Sequence, residues 1–251
     1  MIDKKVVIIT GGTKGIGKAT SIEFAKNDYF VIATTRDIRE KANLEKMFKD
    51  EYNVDVVVET LDVDIEDNVK YFIARIMDSY GRIDCVVNNA GIMIENLPLH
   101  ETKTISFERI VKTDLFGVYF CMKYSIVEML KQGHGSIVNV ASVAGLVGSY
   151  SSSLYTAAKH AVIGLTRSGA LDYATKNIRI NAVAPGCIKT KIFEDAFKRG
   201  VYTEDGLASM HPMKRMGMPE EVAKSILFLA DEKNGFTTGT ILSVDGGYTA
   251  M

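Results

Sequence analysis

Apolar residues in this chain come in short continuous runs, separated by longer stretches in which they recur at helical spacing. The continuous runs fall at residues 5–10, 29–34, 54–60, 83–87, 136–141, 178–183 and 240–244. Most are rich in Val and Ile and end in turn-forming residues. That is the pattern of strands buried on both faces of a parallel sheet. Between them, stretches at 16–25, 38–52, 69–80, 101–131, 154–176 and 219–230 predict helices. Strand–helix alternation predicts an α/β fold, a doubly wound parallel seven-stranded sheet with helices on both faces. Residues 187–218 fit neither period and carry Phe193, Phe197, Met210 and Met213. A connection that long inside one domain is expected to be irregular and to act as a substrate lid.

Composition adds exclusions. Hydrophobic residues are 47% of 251, enough for a large core in a single domain spanning 1–251. A formal net charge of -1 supplies no basic field for nucleic acid or an anionic membrane. Cys85, Cys121 and Cys187 have no metal or redox spacing. An odd number in apolar surroundings is expected of reduced core thiols and a cytoplasmic protein. His100, His134, His160 and His211 form no ligand pair at helical spacing, so no metal site is expected. The apolar run at Val6 is too short for a signal or transmembrane segment.

Candidate chemistry begins where the first strand runs into Gly11-Gly12-Thr13-Lys14-Gly15-Ile16-Gly17 and then a helix. In that context, backbone amides and a helix N-terminus can cradle a dinucleotide pyrophosphate. A tight glycine turn without a ligand reads the same. An acid at the end of the second strand would hold the adenosine ribose hydroxyls. The chain has Thr34-Thr35-Arg36 there instead. Arg36 and Lys14 can pair with a 2′-phosphate, which favours NADP over NAD. The plainer reading is a solvent-facing arginine. Asp62, before Val63, is placed either to contact an adenine amine or to cap the helix opening near Ile65.

Tyr155 and Lys159 are four residues apart, so a helix puts them on one face, one turn apart. The ammonium is expected to favour the phenolate and to lower a pKa of about 10. Such a phenol exchanges a proton with a carbonyl or alcohol near neutral pH. Ser142 follows the fifth strand, where its hydroxyl can hold the substrate oxygen. Taken alone, Tyr-x-x-x-Lys is also what a solvated helix face looks like. Ala157, Ala158, Ala161, Gly164 and Ser168 on the same helix permit close approach of another helix.

Together these residues resemble the short-chain dehydrogenase/reductase family along essentially the whole chain. Residues 10–17 are similar to its nucleotide loop. Asp62, Asn88-Asn89-Ala90-Gly91, Ser142, Tyr155-x-x-x-Lys159, Pro185-Gly186 and Thr190 match its later signatures in order. The resemblance implies a Rossmann-type fold and hydride transfer, with Tyr155 as acid/base, Lys159 on the nicotinamide ribose and Ser142 on the reacting oxygen. It implies cofactor contacts from Gly11, Thr13, Lys14, Ile16, Gly17, Arg36, Asp62 and Val63. Asn89 and Gly91 would flank the adenosine side, and Pro185, Ile188 and Thr190 the nicotinamide. Met93 and Gly186 join Ser142 and Tyr155 on the candidate substrate side. Many relatives are tetramers joined through long helices, so a homotetramer is expected. One position departs from the pattern: Asp114 stands where the family carries an asparagine that helps hold a bent helix and a water beside the lysine. Asp114 either takes over that catalytic relay or turns away to cap a backbone amide.

Three functions fit. The first is an NADP(H)-linked ketone reductase, reversible as a secondary-alcohol dehydrogenase. The second is a 3-oxoacyl-(acyl-carrier-protein) reductase. Its acidic carrier would want a basic rim, which Lys198, Arg199, Lys214 and Arg215 could supply. The third is a nucleotide-sensing regulator, which need not keep a working Ser-Tyr-Lys set. The partner expected is a small carbonyl or alcohol, with no nucleic acid and no membrane.

Overall fold

The seven apolar runs all become strands in a computed structural model, which describes residues 2–94, 96–198, 200 and 202–251. They are β1 Val6–Ile9, β2 Phe30–Thr35, β3 Val56–Thr60, β4 Cys85–Asn88, β5 Gly135–Val140, β6 Ile178–Pro185 and β7 Ile241–Val244. Every pairing is parallel, in the order β3-β2-β1-β4-β5-β6-β7. The winding reverses between β1 and β4. In such sheets the loops leaving those two strands diverge and open a crevice at their carboxyl ends.

The helices are α1 Gly15–Lys26, α2 Lys41–Tyr52, α3 Glu66–Tyr80, α4 Thr104–Ile110, α5 Gly117–Gln132, α6 Ser153–Tyr173, α7 Lys191–Lys198, α8 Glu204–Ser209 and α9 Pro219–Ala230. Alternate strand residues serve the two faces. Val6 and Ile8 join a core with Phe72 and Ile76 of α3, Cys121 and Met129 of α5, and Val162 of α6. Val7 and Ile9 join a second core with Phe24 of α1, Phe48 of α2, and Val222 and Ile226 of α9. Burial on both faces is why the central strands read as unbroken apolar runs.

Two expectations change. Residues 187–218 are not irregular: they contain α7 and α8, and Ile188 and Gly217 form a parallel bridge. Both helices are too short for a period to stand out in sequence. The stretch 101–131 is mostly helical, as expected, in several pieces. A π-helical turn, Val111–Phe116, joins α4 to α5. Asp62 does not cap α3, whose N-cap is Ile65. Its Oδ1 accepts the Asp64 amide at 3.1 Å in a local turn.

Two buried polar devices stiffen the frame. Asn88 of β4 donates to Asn139 of β5 at 2.8 Å, and Asn139 donates to Thr166 of α6 at 2.9 Å. Arg179 on β6 donates to the carbonyls of Leu229 at 2.7 Å and Ala230 at 2.8 Å. These are orphan acceptors at the end of α9, and a cation also suits that end of the helix dipole.

Candidate active site

The glycine loop is shaped by backbone contact. Gly11 and Gly15 have φ of +61° and +53°, the left-handed region that favours glycine. A Cβ on Gly17 would lie 2.2 Å from the Gly11 carbonyl oxygen. Lys14, the N-cap of α1, makes no side-chain cap, so the first-turn amides stay available to an anion. Asn89 donates from Nδ2 to the carbonyls of Thr10 at 2.9 Å and Gly11 at 3.2 Å. That ties the loop after β4 to the glycine loop. From the other side, a Gly15 Cβ would lie 3.4 Å from the Thr190 methyl. Thr13, Pro185 and Ile188 are buried, while Ile16, Asp62 and Gly186 are half-buried. Bare glycine backbone, an uncapped helix start and small flanking side chains fit a dinucleotide pyrophosphate.

The far end of this crevice is less simple than two cations and no acid. Asp37 follows Arg36 and accepts Arg39 Nε at 2.8 Å and the Arg39 amide at 3.0 Å. Hydrogen bonding to Arg39 holds its carboxyl down at about 2. Lys14 Nζ lies 3.3 Å from Glu40 Oε2. Arg36 is exposed and has no ion pair among the described residues.

The catalytic candidates converge at the carboxyl ends of β4 and β5. Ser142 is extended and accepts the Ala144 amide at 3.1 Å, opening the turn Val143–Gly145. Its hydroxyl faces Tyr155 and favours the phenolate. Gly145 lets this turn press on α6: a Cβ there would lie 2.8 Å from the Lys159 carbonyl oxygen. On α6, Lys159 Nζ stands 5.4 Å from the Tyr155 ring centroid. The ammonium donates to the Val140 carbonyl at 3.1 Å. It lies 3.3 Å from Asp114 Oδ2. Asp114 projects from the π turn, and its Oδ1 accepts the Ile92 amide at 2.8 Å. Asp114 caps an amide without turning away from the lysine.

Electrostatics reverse one expectation. Tyr155 is held above, not below, the ordinary phenol value. Burial raises it, Asp114 raises it further, and Lys159 and Ser142 only partly oppose them. Burial also raises Asp114 against the pull of Lys159. Burial alone would lower Lys159, but the negative charges of Tyr155 and Asp114 outweigh it and hold the ammonium above its ordinary value. Gly91 lies against this pair. A Cβ there would meet Asp114 Oδ2 at 3.0 Å and Lys159 Nζ at 3.5 Å.

The rim holds residues that sequence patterns did not single out. Asn96, after β4, donates to the Tyr202 hydroxyl and accepts from Ser152 at 3.3 Å. It thus joins three loops, and half-buried Met93 lies on the same segment. His211 is 2% exposed. It donates from Nδ1 to the Asp245 carbonyl at 2.6 Å and accepts the Cys187 amide at Nε2. Nothing in the spacing of these residues marks them, because their partners are remote in sequence. Of the basic rim, Arg215 is engaged by Glu221 at 2.7 Å, Lys214 donates to the Ser209 carbonyl at 3.0 Å, and Arg199 lies outside the described residues.

A seven-stranded parallel sheet with this glycine turn at its first crossover defines a Rossmann-type fold of the dinucleotide-binding kind. A family model described as enoyl-(acyl carrier protein) reductase matches residues 11–249. The chain is 40% identical over 248 residues to the 3-oxoacyl-(acyl-carrier-protein) reductase FabG of Thermotoga maritima, covering 98% of each chain. It is 39% identical over 249 residues to cis-4-hydroxycyclohexanecarboxylate dehydrogenase of Sinomonas cyclohexanicum, covering 99% of this chain and 98% of the relative. The solved structure of ElxO with NADP bound matches with a TM-score of 0.95 at 46% identity, covering 99% of this chain and 100% of that one. The chain belongs to the short-chain dehydrogenase/reductase family, oxidoreductases that act on alcohols and ketones. Among the described residues no helix is long and apolar enough to cross a membrane, and no group of His, Cys, Asp and Glu could hold a metal ion.

Proposed function

We propose that this chain is an NADP(H)-dependent oxidoreductase interconverting a ketone and a secondary alcohol, with Tyr155 as the acid/base. The observation that carries the reading is the meeting of Ser142, Tyr155 and Lys159 beside the glycine cradle. A bound nicotinamide dinucleotide supplies or accepts the hydride. Ser142 and Tyr155 hold the substrate oxygen, and Tyr155 passes a proton to it or takes one from it. Lys159 offsets charge on the phenolate and is placed to bind the nicotinamide ribose. The residues around the glycine loop and the loop after β6, from Gly11 to Thr190, hold the rest of the cofactor. Exposed Arg36 supports the phosphorylated cofactor over NAD, as does the similarity to an NADP-bound protein.

In this reading residues 1–251 act as one dinucleotide-binding and catalytic unit. Residues 187–218 form its substrate loop, where Phe193 and Phe197 stack at 6.4 Å and offer an apolar wall. The free thiols Cys85, Cys121 and Cys187 fit a cytoplasmic location. A second reading, 3-oxoacyl-(acyl-carrier-protein) reduction, is favoured by the similarity to FabG. The engagement of Arg215 by Glu221 counts against a basic rim for an acidic carrier. Assays of ketones, cyclic alcohols and acyl thioesters would separate the two. For the shared chemistry, Tyr155→Phe should lower kcat by roughly 10²–10⁴, the range for a lost general acid, with cofactor affinity kept. Near wild-type turnover would overturn the reading.

A further inference from the structure

Asp114 is placed so that its charge bears on Tyr155 through Lys159. It is 0% exposed and fixed at one oxygen by the Ile92 amide, with the other oxygen turned to the ammonium. Lys159 is 3% exposed, so little solvent screens the pair. The charged or titratable groups facing this cluster are Tyr155 and Lys159 of α6, Asp114 of the π turn, and Asp64 of the loop between β3 and α3. A lone ammonium beside a phenol stabilises the phenolate. With a carboxylate on the other side of the ammonium, the opposite charges largely cancel at the phenol.

We propose that Asp114 is a positioning residue that counter-charges Lys159 and so keeps Tyr155 loaded with its proton through neutral pH, moving the window for alcohol oxidation to higher pH. This rests on the reading of Tyr155 as acid/base. In reduction, the carbonyl carbon takes the hydride of the reduced dinucleotide and its oxygen takes the Tyr155 proton, giving the alcohol. In oxidation, the phenolate takes the hydroxyl proton while the carbinol hydride passes to the oxidised dinucleotide. A proton-loaded Tyr155 serves the first direction, and the second waits for the phenolate. The direction of titration agrees: burial and then the Asp114 charge hold Tyr155 above the ordinary phenol value, against Lys159.

Asp114→Asn removes the charge and keeps the acceptor for the Ile92 amide. Two measurements test the idea. One is the pH profile of kcat/KM for oxidation of a secondary alcohol. The other is the pH titration of the Tyr155 ζ-carbon chemical shift in cofactor-free protein, assigned by its loss in Tyr155→Phe. In Asp114→Asn both midpoints should fall by about one unit or more, the effect of one unit charge at the effective dielectric of a protein site. Asp114→Ser, also uncharged, should shift them the same way if the asparagine variant folds poorly. Midpoints that stay in place or rise would overturn the proposal, even if kcat falls. If Tyr155→Phe keeps its activity, the effect on oxidation is lost, and the ζ-carbon titration still decides the charge coupling.

Discussion

Arg36 is exposed at the end of β2, while Lys14 pairs with Glu40 and Asp37 with Arg39. In the proposed NADP(H) reading, discrimination by a 2′-phosphate therefore rests mainly on one guanidinium. A charged hydrogen bond contributes roughly 1.5–3 kcal/mol before solvent screening. Arg36→Asp should shift the ratio of kcat/KM for NADPH over NADH by about tenfold or more toward NADH. Equal kcat/KM for the two cofactors in the unmodified enzyme would remove the basis for this expectation. Asp114 differs because it is sealed from water, so little solvent screens it from Lys159. A Cβ on Gly91 would crowd its carboxylate at 3.0 Å, so glycine eases that approach.

The elements that make the site are held by close backbone contact. Gly17 lets α1 press on the glycine loop, and its missing Cβ would fall 2.2 Å from a backbone oxygen that has no rotamer to escape by. Gly17→Ala should displace α1, with a stability loss of about 1–3 kcal/mol, as for overpacking. Cofactor affinity should fall with it. The thermal midpoint and a cofactor titration check this, and an unchanged Kd would contradict it. The π turn Val111–Phe116 plays the matching part for Asp114. Such a turn carries one more residue per hydrogen-bonded ring than an α-helix does, and it is a recurrent feature of functional sites. Gly117, just beyond it, admits Val63: a Cβ there would lie 2.8 Å from the Val63 Cγ2.

Across the whole molecule, several apolar side chains remain outside. Phe116 is 47% exposed and Leu171 82% exposed. Ala157, Gly164 and Ser168 of the small-residue stripe on α6 are also exposed, whereas Ala158 is buried against Ile110 and Leu154. A Cβ on Gly164 would meet nothing within 4 Å. The stripe can therefore take a helix from another copy, as the proposed homotetramer requires. Light scattering at micromolar concentration should return the tetramer mass, and a monomer mass would reject the assembly.

Periodicity in the amino-acid sequence was enough to place all seven strands, the main helices and the glycine turn, because each depends on neighbours close in the chain. Tyr155 and Lys159 were legible for the same reason, being one helical turn apart. Their electrostatics were not. The proton affinity of Tyr155 depends on burial and on Asp114, which is remote in sequence and reaches Lys159 only through the π turn. The Asn96–Tyr202–Ser152 link and the His211 bridge to Asp245 were invisible in the same way. Local pattern set which residues form strands and helices. Only the packed sheet decided which distant charges and amides meet, because Coulomb forces and desolvation act through space and not along the chain.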